Sequence, residues 1–520
     1  MDQILSGMID AMSLWTFLAV AGGVSIGIIV GAIPGLNAPM AIAIAVPLTM
    51  SMSPLAGIAM LVGVMKGGGY GGAIGAIMLN TPGEPHSAAT TLDGHPLARR
   101  GKAKKALQTA LFSSAFGDTC SDLVLITSAP ALAVVALKAG PVEIAAFLVL
   151  SLSVIAALSG SSLLKGIFAA VLGAFLATVG LDPETASPRL TFGSVELLDG
   201  LPLVAVAIGV LAVPEIVMRM EERHTASQGP PIQPDIDAAS DEGIRFSEMW
   251  AVRATLLRGA GIGTVIGAIP GLGSTLAAFI SYTATKRFSK KPETLGTGAI
   301  EGIAATESAN SAVCGANLIP LLTLGIPGNL SAALLVGAFL IHGIALGPMI
   351  FTRNPELVYG LFAAMIMGNI LVIAIGSIGL RLFAKIALVP AQVIYPVVLM
   401  LCLVGVYLSQ RSLFAVWLML GFGLLGYVMR KLDISIVCFA IGLVLGPIIE
   451  LSARQSIILM RMNPGAILDH PLALGLFVAT PVVVWVLLRD RKKQMAKEKA
   501  MQDHTTPDLS GKAHGLDPHP

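Results

Sequence analysis

Apolar stretches separated by short polar loops run along almost the whole chain. Residues 13–33 are apolar, and so are 38–50, with Pro34 and Gly35 between them. A helix needs about 20 residues to cross the hydrocarbon core of a bilayer, so the second stretch is too short to span. The pattern predicts a re-entrant helical hairpin over 13–50 with Pro34-Gly35 at its tip. Residues 55–97 follow, interrupted by Gly67-Gly68-Gly69-Tyr70-Gly71-Gly72 and by Thr81-Pro82-Gly83, and read as one broken crossing. Plain spans are expected near 107–137, 141–158, 162–180 and 201–218. The polar segment 219–249 reads as a linker. The order then recurs: a hairpin over 250–285, a broken crossing over 299–342, and plain spans near 357–380, 388–408, 412–429 and 433–449. An extra span over 450–488 and a charged, then polar tail over 489–520 complete the pattern. The tail is expected to be disordered, since it has little apolar surface to bury.

The recurrence is also written in the residues. Residues 27–37 read GIIVGAIPGLN and 263–273 read GTVIGAIPGLG. Thr81-Pro82-Gly83 follows the first copy and Ile326-Pro327-Gly328 the second. Pro34 to Pro82 is 48 residues and Pro270 to Pro327 is 57, so the order is kept with a modest insertion. Two related halves are therefore expected, 1–218 and 250–449, each with two Pro-Gly breaks inside apolar sequence. Such breaks free backbone polar groups, which a membrane tolerates only where protein or a watery cavity satisfies them. Paired interruptions at corresponding places in two halves point to a transporter binding site.

Composition sharpens the class. The chain has 520 residues, 55% hydrophobic and 12% charged, with a mean hydropathy of +0.82. A soluble protein cannot hide that much apolar surface, so the fold class is an all-α polytopic membrane protein. Its 57 glycines suit close helix packing where lipid gives no hydrophobic drive. The net charge of +2 implies no nucleic-acid partner. Cys120, Cys314, Cys402 and Cys438 fall singly in apolar spans and read as buried free thiols. The N-terminus lacks a basic n-region and an obvious cleavage site, so no cleaved signal peptide is expected. The glycine run lacks the Gly-Lys-Ser/Thr ending of a phosphate loop, which argues against an ATPase. No His-Glu-x-x-His or Gly-x-Ser-x-Gly motif supports an enzyme, and no cofactor is expected beyond a coupling ion.

Charge gives an orientation. Short basic loops lie in the cytoplasm, which assigns 98–105, 286–292, Arg430-Lys431 and Arg489–Lys493 to that side. Alternate counting from 98–105 agrees if 250–285 enters and leaves on one side. The first hairpin is followed by 47–54 without Lys or Arg, the second by four basic residues. Corresponding points thus fall on opposite sides, as in inverted-topology repeats. Arg411, Arg454 and Arg461 are exceptions that fall outside.

Together, GAIPGLN with TPGEPHSAATTLDGHPLARRGKA, and GAIPGLG with ESANSAVCGANLIPLLTLGIPGNLSAALLVGAFLIHG, resemble the large membrane subunit of the tripartite tricarboxylate transporters. The resemblance covers about 1–490. It implies a permease of the bacterial inner membrane working with a small four-span membrane subunit and a periplasmic solute-binding protein. It implies carboxylate substrates, citrate or a dicarboxylate, imported with an ion gradient rather than ATP. The layout of hairpins and broken helices is also similar to that of sodium-coupled dicarboxylate carriers, which implies an elevator-type motion. Homodimerisation of the complex is compatible with that layout.

A carboxylate substrate needs donors and positive potential inside the bilayer. A helix N-terminus supplies free N–H groups and roughly half a positive charge. Each break is expected to start a helix, after Asn37, Gly83, Gly273 and Gly328. Pro34, Gly35, Pro82, Gly83, Pro270, Gly271, Gly273, Pro327 and Gly328 would shape the substrate site, with side-chain donors from Asn37, Asn80, Thr81, Ser87, Ser274, Thr275 and Asn329. Exposed carbonyls at the breaks suit Na+. The alternative is that the breaks only kink spans for packing. Lys66 lies in apolar sequence, where a charge is costly; it would counter a substrate carboxylate, or snorkel, or pair with an acid. Glu307, Asn310 and Asn317 are the candidates for a coupling Na+ or H+. Glu307 reads also as a structural partner for Lys66 or as a helix-start carboxylate. Asp118 and Asp122, one helical turn apart, read as structural or lining residues, and Glu84 and His86 as gating or interfacial ones. An ion channel or passive anion pore on the same repeats is the competing function; it lacks a ring of pore-lining charge.

Overall fold

The computed structural model describes residues 2–158, 162–222, 242–386, 389, 391–462 and 468–505. Most of the linker, 223–241, and the end of the tail, 506–520, lie outside the described residues. The first half comprises α1 (Asp2–Ala11), α2 (Leu14–Ala32), α3 (Ala38–Thr49), α4 (Pro54–Leu79), α5 (Ser87–Arg99), α6 (Ala103–Ala136), α7 (Pro141–Leu158), α8 (Leu163–Leu176) and α9 (Leu203–Glu222). The rest comprises α10 (Phe246–Ala251), α11 (Arg253–Gly267), α12 (Gly273–Phe288), α13 (Ile300–Ala316), α14 (Leu318–Leu324), α15 (Leu330–Ile341), α16 (Ile350–Arg353), α17 (Pro355–Ile386), α18 (Ala391–Gln410), α19 (Leu413–Lys431), α20 (Ile436–Met462) and α21 (Pro471–Thr505). Six of these helices are long and apolar enough to cross a membrane, and the protein is an all-α polytopic membrane protein.

The breaks end helices for identifiable reasons. Ile33, before Pro34, is extended (φ −83°, ψ 120°), as steric clash with a following proline requires. Gly35 then takes φ +89° and Gly271 takes φ +92°, a region open mainly to glycine. Asn37 starts α3 by accepting from the Met40 amide at 3.0 Å, and Asn329 starts α15 by accepting from the Ala332 amide at 2.9 Å. Both are N-caps. The helix after Thr81-Pro82-Gly83 starts only at Ser87, later than the sequence suggests.

The glycine run does not interrupt its crossing, contrary to the sequence reading. Helix α4 is continuous through Gly67–Gly72. Gly63, Gly67 and Gly71, four residues apart, face Gly23, Gly27 and Gly31 of α2, also four apart. A Cβ at Gly63 would lie 2.9 Å from the Val20 carbonyl oxygen, and one at Gly71 would lie 2.6 Å from that of Ile28. The run is a seam that brings two backbones into contact, the packing mode favoured in lipid. The second motif copy does the same. Gly263 and Gly267 of α11 press on Ala309, Ala312 and Val313 of α13, with a Cβ at Gly267 2.9 Å from Val313 Cα.

Two other boundaries differ from the sequence reading. Helix α20 runs through residue 449, where the second half was expected to end, and α21 continues past Arg489 to Thr505. Residues 489–505 are rich in Lys, Arg, Ala, Met and Gln, all good helix formers. Arg454, one of the exceptions to the charge rule, is paired: its guanidinium lies 2.7 Å from Asp182, 3.1 Å from Glu184 and 2.6 Å from Glu450. The backbone N–H groups of Thr185 and Glu184, with Arg454, hold the Asp182 carboxyl well below the usual range.

Candidate functional site

The four breaks converge. The Gly271 amide at the second tip donates to the Gly328 carbonyl at 2.8 Å, so hairpin and broken crossing of the second half join there. A Cβ at Gly328 would meet the Gly267 carbonyl oxygen at 3.5 Å, and one at Gly83 would overlap that of Gly31. Gly31 and Gly267 hold the same place in the two motif copies, as do Gly83 and Gly328 in the two breaks. Pro34 accepts through its carbonyl from the Tyr395 hydroxyl at 3.3 Å. Pro270 and Pro327 are buried; Pro82, Gly83, Gly273 and Thr275 are half-buried.

The halves also meet across the site. Ser274 Oγ lies 3.2 Å from His86 Nδ1, linking the second tip to the first break. The same nitrogen lies 3.5 Å from Glu84 Oε2, and Glu84 Oε1 accepts from the Ala38 amide at 2.5 Å. A continuous polar chain thus joins the start of α3 to the start of α12. Ser87 Oγ and His86 Nε2 are buried beside it with no partner. Asn80 and Thr81 point elsewhere: both are exposed, and Thr81 Oγ1 donates to the Leu79 carbonyl at 3.2 Å. Asn37 and Asn329 use their side-chain oxygens as helix caps, which leaves each amide NH2 as the donor.

Beyond the tips, contacts between the halves are reciprocal. Where the first hairpin ends and α4 begins, a Cβ at Gly57 would lie 2.9 Å from Thr49 Cβ and 2.8 Å from His342 Nε2, just past α15. Where the second hairpin ends and α13 begins, Asp93 of α5 accepts from the Tyr282 hydroxyl at 2.9 Å. It also accepts from the amides of Gly296, Gly298 and Ala299 at 2.9, 2.8 and 2.7 Å. Each hairpin base therefore docks on the far end of the other half's broken crossing. Lys105 Nζ lies 2.5 Å from Glu248 Oε1, so the basic loop after α5 and the end of the linker are neighbours.

Glu307 is fully buried on α13. Its Oε1 accepts from Thr90 Oγ1 at 2.5 Å and its Oε2 from Ser114 Oγ at 2.9 Å, with Thr306 Oγ1 2.9 Å from Thr90 Oγ1. Asn310 and Asn317 are buried on the same broken crossing. Both side-chain polar atoms of Asn317 lack a partner, and its Cγ would lie 3.1 Å from a Cβ at Gly328.

Lys66 is fully buried and paired. Its Nζ donates to Asp122 Oδ2 and to Asn369 Oδ1, both at 2.8 Å, and lies 3.6 Å from Asp118 Oδ1. Asn369 Nδ2 also donates to Asp122 Oδ2 at 2.8 Å. Lys66 is thus paired with two acids inside the protein. Asn369, Thr90, Ser114 and Asp93 escape sequence reasoning, because nothing near them in sequence names their distant partners.

The chain matches the family model described as "Tripartite tricarboxylate transporter TctA family" over residues 17–441. It is 36% identical over 491 residues to an "Uncharacterized 52.8 kDa protein in TAR-I ttuC' 3'region" of Agrobacterium vitis, covering 94% of this chain and 96% of that one. It is 37% identical over 214 residues to an "Uncharacterized protein in TAR-II ttuC' 3'region" of the same organism, covering 41% of this chain and 88% of that one. No solved structure matches it significantly. The match of the family model across both Pro-Gly motifs and both breaks settles the classification: the chain belongs to the TctA family of tripartite tricarboxylate transporters.

Proposed function

We propose that this chain is the permease subunit of a binding-protein-dependent secondary transporter that imports a di- or tricarboxylate across the bacterial inner membrane. Its partners are a small four-span membrane subunit and a periplasmic solute-binding protein. A Na+ or H+ gradient drives uptake, with Glu307, Asn310 and Asn317 the candidates for the coupling ion. The substrate site lies between the two hairpin tips. The observation that carries this reading is the meeting of the tips through Ser274, His86, Glu84 and the start of α3. The reciprocal docking of each hairpin base supports two inverted repeats related by a pseudo-two-fold axis. A hairpin and broken crossing that move together would give an elevator-type carrier.

Uptake by proteoliposomes holding both membrane subunits tests the function. With binding protein present, a di- or tricarboxylate at micromolar concentration should accumulate when either a Na+ or a pH gradient is imposed, and only slightly without the binding protein. Equilibration of the carboxylate that neither gradient alters would favour a passive pore. Topology has its own test. Single cysteines at Ser51 and Ser289, with the native cysteines replaced, should label from opposite faces of the membrane. Labelling from one face would remove the inverted repeat.

A further inference from the structure

We propose that Glu84 is a tethered occupant of a carboxylate site at the N-terminus of α3, and that an incoming ligand carboxylate takes its place. The first turn of α3 leaves one donor for such a ligand. Pro39 has no N–H. The Met40 amide is capped by Asn37 Oδ1 at 3.0 Å, and the Ala41 amide closes the helix onto the Asn37 carbonyl at 3.0 Å. The Ala38 amide remains, and Glu84 Oε1 fills it at 2.5 Å. This side chain comes from the loop 46 residues away, not from α3 itself.

Glu84 is buried, and among the described residues the one basic side chain within 4 Å of its carboxyl is His86, at 3.5 Å. The start of a helix is favourable ground for an anion, and a free carboxylate presents the same two oxygens. Polar groups for the rest of a ligand stand ready beside it. Ser87 Oγ and His86 Nε2 are buried with no partner. Ser87 Oγ and Glu84 share one side of α4: a Cβ at Gly72 would lie 2.7 Å from the former and 3.4 Å from Glu84 Cβ. When Glu84 leaves, its contact with His86 goes with it, and so does the chain of contacts that ties the tips together. Ligand entry thereby releases one hairpin from the other. Only the identity of the displacing ligand as a di- or tricarboxylate rests on the transport reading above.

The test uses the full chain in nanodiscs and thermal unfolding, with sodium acetate as a minimal carboxylate and sodium chloride at equal ionic strength as control. Glu84→Ala opens the site, so acetate should stabilise that variant in a saturable way. Wild type should need roughly tenfold more acetate, if Glu84 vacates its place about a tenth of the time. An equal acetate response in both proteins, or none in Glu84→Ala, overturns the proposal. Should Glu84→Ala not fold, Glu84→Gln keeps the size and the acceptor oxygen without the charge. It should respond to acetate at a several-fold lower concentration than wild type, and an unchanged or weaker response overturns the proposal. If acetate acts as expected but no di- or tricarboxylate does in any of the proteins, the tethered site stands and the substrate class fails.

Discussion

Gly271→Val is expected to abolish carboxylate uptake while the protein still inserts in the membrane at near wild-type abundance. Two independent effects fall on this residue. Its φ of +92° lies where a β-branched side chain is a genuine outlier, and left-handed backbone costs an ordinary L-residue about 1–2 kcal/mol. A Cβ there would also lie 2.6 Å from Ile155 Cγ1 and 3.1 Å from Ile155 Cα on α7. The tip must therefore shift, and the bond from its amide to the Gly328 carbonyl is the first contact at risk. The surrounding helices keep their seams, so insertion survives while the geometry between the tips does not. Gly35→Val, at φ +89° in the other tip, should behave alike. Uptake by reconstituted variants, normalised to inserted protein, measures this. Wild-type rates from both would make the tips structural kinks and move the site elsewhere.

Lys66→Met should be the most destabilising single change in the first half. It removes the only cation within ion-pair distance of Asp118 and Asp122 among the described residues, and both aspartates are buried. Breaking a buried pair by deleting one partner costs about 3–5 kcal/mol, because the other charge stays behind. A replacement of both charges costs far less, so Lys66→Met with Asp122→Asn should recover part of the loss. Thermal unfolding of the three proteins in one detergent decides it. Lys66→Met unfolding at the wild-type temperature would show that the pair contributes nothing.

The breaks were legible in the sequence because proline and glycine act locally. Ile33-Pro34-Gly35 sets its own backbone angles, and Asn37 and Asn329 cap the helices that immediately follow them. The same local logic misread Gly67–Gly72 as an interruption. Within lipid those glycines hold a helix whose neighbour is another glycine-lined helix, and only the four-residue spacing of Gly63, Gly67 and Gly71 hints at it. The cross-chain contacts were out of reach. Ser274 finds His86 from 188 residues away and Lys66 finds Asn369 from 303, with no neighbouring residue to announce either. Glu84 and His86 were visible as polar residues after a break, but their position between both tips exists only once the hairpins are packed.

A carboxylate bound between the two hairpin tips should shield a cysteine placed at Ser274 from labelling. Ser274 is half-buried at the start of α12. The measurement is the rate at which a maleimide labels Ser274→Cys, with Cys120, Cys314, Cys402 and Cys438 replaced, across a series of citrate, malate and succinate concentrations. A ligand seated between the tips should slow labelling in a saturable way, with half-protection at the concentration that half-saturates uptake in the same protein. A labelling rate indifferent to every carboxylate that the protein transports would place the binding site away from the tips.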